Sequence, residues 1–103
     1  MKFPKRIVLE PSLGKCVESL AREKYWALVD EYARRIQSEG INREMEAEIE
    51  ALRSFLEDMD VGEYRERTEE FLERGEKVLL VLEITEDGSI NVRVDHPRTI
   101  PSG

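Results

Sequence analysis

An unbroken aliphatic run, Val78-Leu79-Leu80-Val81-Leu82, stands near the end of the chain. Glu86-Asp87-Gly88-Ser89 follows as a turn signal, and Ile90-Asn91-Val92-Arg93-Val94 then alternates with a period of two. Run, turn and alternation together predict a β-hairpin. Within residues 78–85, Val78, Leu80, Leu82 and Ile84 point one way, and Leu79, Val81, Glu83 and Thr85 the other. The first half of this strand is therefore apolar on both faces, which suits the middle of a sheet or a position beneath a partner. Lys5-Arg6-Ile7-Val8-Leu9-Glu10 is β-branched and apolar between charges and predicts a further strand over 5–10, stopped by Pro11.

Between these strands the apolar period lengthens to three and four. Leu13, Val17, Leu20, Ala21, Tyr25, Leu28, Val29, Tyr32 and Ile36 form one broad stripe, flanked by Trp26 and Ala33. They predict a helix over 13–38, with Ser12 as N-cap and Gly40 as the residue after its end. Asn42 caps a second helix, 43–59, whose stripe is Ile41, Met45, Ile49, Leu52, Leu56 and Met59, with Phe55 beside it. Asp60 and Glu63 have capping-box spacing and open a third, 61–74, with Val61, Tyr64, Thr68, Phe71 and Leu72 inward and Gly75 at its end.

The fold class that follows is α+β, in the order β-α-α-α-β-β. Three helices lie on one face of a three-stranded sheet with the 78–84 strand central, and an extended tail begins near residue 96, before Pro97. The other reading is an all-helical domain with a protruding hairpin. A chain of 103 residues is one domain by the size prior, large enough for a modest core.

Composition adds three constraints. Apolar residues make up 40% of the chain and charged residues 38%, too apolar for disorder and unusually charged for a globular domain. Gln37, Asn42, Asn91 and Cys16 are the only residues of their kinds. Many charges with few thermolabile side chains is a thermophile composition. One cysteine excludes an internal disulfide and a cysteine zinc cage. No apolar stretch resembles a secretory signal or approaches a bilayer span, so the expected location is the cytoplasm, with no membrane partner.

Charge is unevenly distributed. The chain's net −7 comes from residues 41–76, which hold thirteen acidic and five basic side chains. That excess repels phosphates, so nucleic acid is not an expected partner, whereas a basic protein surface or a divalent cation is attracted. Glu44 and Glu48 on the second helix, and Glu66 and Glu70 on the third, are i,i+4 pairs. Two such pairs on facing helices would suit a divalent cation and, with it, a metal-dependent phosphohydrolase. Most acids fall outside the apolar stripes, however, which describes a solvated face.

His96 is the only histidine, Cys16 the only thiol, and no glycine-rich phosphate loop is present. No catalytic residue and no cofactor site can be assigned. The expected role is binding or assembly, as a homodimer. The apolar surface exceeds what three helices on one sheet face can cover: Leu79 and Val81 point to the other face, and Tyr25, Trp26 and Phe55 broaden the helix stripes.

Overall fold

The computed structural model of the chain describes residues 5–96. Its elements run β1 (Lys5–Leu9), α1 (Val17–Glu39), α2 (Arg43–Asp58), α3 (Val61–Glu73), β2 (Leu79–Ile84) and β3 (Ile90–Asp95). The architecture is α+β in the expected order. The sheet is β1-β2-β3 with β2 central, and both pairings are antiparallel. The all-helical reading is thereby excluded. The expected tail falls on residues 97–103, outside the described residues.

Register explains which face is covered. Leu82 lies opposite Ile7 on one side and Val92 on the other, and Leu80 lies between Leu9 and Val94. Ile7, Leu9, Leu80, Leu82 and Ile84 are buried against Val17 and Ala21 of α1 and Ala51, Leu52 and Phe55 of α2. Val61 and Tyr64 of α3 close the cluster. Thr68 is the buried polar residue of the core, and its hydroxyl donates to the Arg65 carbonyl at 2.9 Å, so nothing is left unsatisfied.

Helix caps follow local chemistry with one exception. The Asn42 side chain accepts from the Met45 N–H at 3.1 Å, and Asp60 accepts from the Glu63 N–H at 3.3 Å. Gly40 takes φ +79°, a conformation that costs glycine little, and its N–H returns to the Ile36 carbonyl. The exception is the start of α1, expected at Leu13 behind a Ser12 cap. Ser12 and Lys15 instead exchange two backbone N–H···O bonds of 3.0 Å, closing a turn over Leu13 and Gly14. Those backbone groups are committed before a helix can use them. The cap is Cys16, and Leu13 is left exposed.

Length shapes the rest. The 23 residues of α1 rise about 35 Å at 1.5 Å each. Strands of five or six residues span only about 20 Å. Helix α1 therefore overshoots the sheet, and its last turns lie against the first turns of α2, where Tyr32 meets Glu46 and Arg35 meets Met45. The molecule is elongated accordingly, 51 × 28 × 23 Å.

Candidate functional site

The carboxylate pairs are separated by what they bind. Lys5 Nζ lies 3.1 Å from Glu44 Oε2 and 3.6 Å from Glu48 Oε1. The hydrogen bond to Glu44, aided by the Glu48 charge, raises the Lys5 pKa above its ordinary value. An ammonium thus occupies the place between these two carboxylates. Glu66 and Glu70 are exposed on α3. Among the described residues no three His, Cys, Asp or Glu side chains converge as a metal-holding group.

His96 is a structural contact. Its ring stacks on Phe71 with centroids 4.4 Å apart, and Nε2 is 3.4 Å from Glu76, which fastens the end of β3 to α3. Cys16 Sγ is 3.4 Å from Ser19 Oγ, and that contact lowers the thiol's pKa.

The five interface residues suggested by the sequence separate sharply. Phe55 is fully buried in the core and has no surface to offer a second chain. Its ring packs 5.8 Å from that of Tyr64. Val81 lies on the helix-free sheet face yet is only 3% exposed. Val8 and Arg93 flank it in register, and one step along Glu83 accepts from Arg6 at 3.0 Å and lies 4.0 Å from Arg93. Leu79 and Tyr25 are half-buried. Trp26 is exposed at 61%, its ring edge-on to Tyr25 at 5.2 Å.

Trp26 begins a stripe that does not face the core. Trp26, Val29, Ala33 and Ile36 recur at steps of three, four and three along the overshooting half of α1. Of these, Val29, Ala33 and Ile36, with Ile49 of α2, border an open groove of about 540 Å³, also lined by Tyr32, Glu46 and Glu50, while Trp26 stands a turn before it, beside Ser19, Arg22 and Glu23. Ile36 is 38% exposed. The rim is held in place by polar bonds. The Tyr32 hydroxyl donates to Glu46 at 3.0 Å and accepts from the Asn42 N–H at 3.1 Å. Arg53 is bonded to Glu50 through both Nε and Nη2, which holds the Glu50 carboxyl below the usual carboxylate range. By its residue pattern the chain sets Val29, Ile36 and Ile49 in the core-facing stripes and Ala33 beside them. The signal that separates them is a second three-four spacing on α1, offset from Val17, Ala21 and Leu28.

Fold and surface define a class: a small α+β protein with three helices on one side of an antiparallel three-stranded sheet and an apolar groove on its helical layer. Residues 5–94 match the model of an uncharacterised family, and the chain belongs to that family. No curated protein and no solved structure matches it. Among the described residues, no helix is long and apolar enough to cross a membrane.

Proposed function

We propose that this protein is a binding module, and that the α1–α2 groove receives a basic amphipathic helix of a partner protein. The apolar stripe Trp26–Val29–Ala33–Ile36 with Ile49 carries this reading. Apolar anchors at three- and four-residue steps are the complement of a helix lying in a groove. Exposed aromatic and aliphatic side chains gathered on one patch mark interaction surfaces more often than scattered ones do. The sign of the partner's charge follows from the rim, where Glu46 and Glu50 stand, and from the acidic excess of residues 41–76.

Trp26 is the chain's only tryptophan, so it reports on its own surface. Titration with a synthetic Leu/Lys amphipathic helix should shift Trp26 emission to shorter wavelength and saturate. An otherwise identical Leu/Glu helix should not. Ile36→Glu should weaken the response at least about tenfold, the scale of one lost anchor of 1.4 kcal/mol. An undiminished response in Ile36→Glu, or equal responses to the two peptides, contradicts the proposal.

A further inference from the structure

We propose that the outer edge of β1, which pairs only with β2 among the described residues, binds a second copy of this chain, by antiparallel β1–β1 pairing centred on Val8. This interface is separate from the helix groove and does not rest on it. A three-stranded sheet has two edges, and exposed edges are normally charged, covered or paired. On β3 the residues facing the helix-free side are Asn91, Arg93 and Asp95, all polar and exposed. On β1 the corresponding residue is Val8, 52% exposed, set between Arg6 and Glu10.

Symmetry then restricts the register. Two identical strands paired about a two-fold axis place residues of the same face opposite one another, so the axis passes through a residue. Centred on Val8, the strand meets itself as Val8 against Val8, Ile7 against Leu9 of the partner subunit, and Arg6 against Glu10 of the partner subunit. Across residues 6–10 every apolar residue finds an apolar one, and Arg6 and Glu10 find each other, twice per dimer, with Lys5 left opposite Pro11 at the end of the pairing. Centred on Ile7, Arg6 would face Val8 and Lys5 would face Leu9, setting charge against apolar side chain. The sequence Arg-Ile-Val-Leu-Glu is thus complementary to itself in the first register alone of these two.

The edge also has room. A groove of about 400 Å³ runs beside Val8 and Leu9, walled by Leu20, Lys24 and Ala27 of α1. Arg6 is 58% exposed and uses its Nε toward Glu83, leaving other guanidinium donors for a second carboxylate. Glu10 is exposed as well, 3.7 Å from Lys77.

Charge exchange tests the register. Sedimentation of the wild-type chain should give a species of twice the 12.0 kDa chain mass. Arg6→Glu should weaken the dimer roughly tenfold, since it sets like charges opposite each other at two symmetric places. The double variant Arg6→Glu, Glu10→Arg should recover the loss. That recovery cannot come from within one chain, because both intrachain partners, Glu83 and Lys77, are mismatched in the double variant. In a Cys16→Ser background, Val8→Cys should form a disulfide-linked dimer on oxidation, while Arg93→Cys on β3 should not. Far-UV circular dichroism checks that each variant is folded. A monomer at every concentration, a dimer indifferent to Arg6→Glu, or linkage through Arg93→Cys instead would overturn the proposal. Peptide binding at Trp26 is read separately, so either interface can fail alone.

Discussion

Replacing Phe55 with alanine separates a core role from an interface role. The ring is fully buried between α2, α3 and the sheet, and packs against Tyr64. Its removal loses the transfer free energy of the aromatic group and leaves a cavity that Leu52, Leu80 and Leu82, themselves fully buried, cannot easily fill. Phe→Ala changes in such sites cost about 3–5 kcal/mol. A domain of this size holds about 5–15 kcal/mol in all, so Phe55→Ala should remove a large share of it. At about 4–8 °C per kcal/mol, the midpoint of thermal unfolding should fall by at least about 12 °C. Urea unfolding followed by circular dichroism should show a lower midpoint with an unchanged slope, the shift from wild type at matched concentration being the same at every protein concentration. Trp26→Ala, on the exposed stripe, should stay within about 0.5 kcal/mol of wild type. A loss below about 1 kcal/mol in Phe55→Ala would refute the placement of this ring. So would a loss that appears only as the protein is diluted.

Two further outcomes are expected. Asp87 in the hairpin turn accepts from the Thr85 hydroxyl and the Ser89 N–H, which lower its pKa from 3.8 to about 2. Its stabilising effect is complete above 3.8 and is lost as pH falls toward 2. Asp87→Asn should therefore flatten the stability profile across that window, and acid titration monitored at the turn amides checks it. Calorimetric titration with Mg²⁺ or Mn²⁺ should show no micromolar site, because Lys5 already sits between Glu44 and Glu48. Binding abolished by Glu48→Gln would instead support the phosphohydrolase reading.

The central place of β2 was readable because it belongs to the longest aliphatic run in the chain, apolar on both sides of the pleat over several residues. Its neighbours then had to be the two short strands left over. Caps with a side-chain acceptor, Asn42 and Asp60, were legible for the same local reason. The start of α1 was not, since the Ser12–Lys15 turn and a helix compete for the same backbone groups and the residue pattern suits both. The surface was harder still. A hydrophobic stripe on α1 looks continuous from Leu13 to Ile36, but nothing in one helix's pattern says where the sheet beneath it ends. Overshoot is a tertiary fact, and it turns Ile36 from apparent core into exposed surface and leaves Val29 half-buried beside an exposed Ala33. Val81 went the opposite way: it is buried although it lies on the sheet face away from the helices, between Val8 and Arg93, neighbours that meet only in the folded sheet.

Chemical-shift mapping gives the sharpest test of the proposed binding surface, the outer stripe of α1 with Ile49. Methyl and amide resonances should be followed as the Leu/Lys helix is added to labelled protein. The expected result is a set of shifts confined to Trp26, Val29, Ala33, Ile36 and Ile49, with Val8, Leu79 and Arg93 on the opposite side of the sheet unmoved. Shifts centred on that sheet face, with the α1 stripe silent, would contradict it.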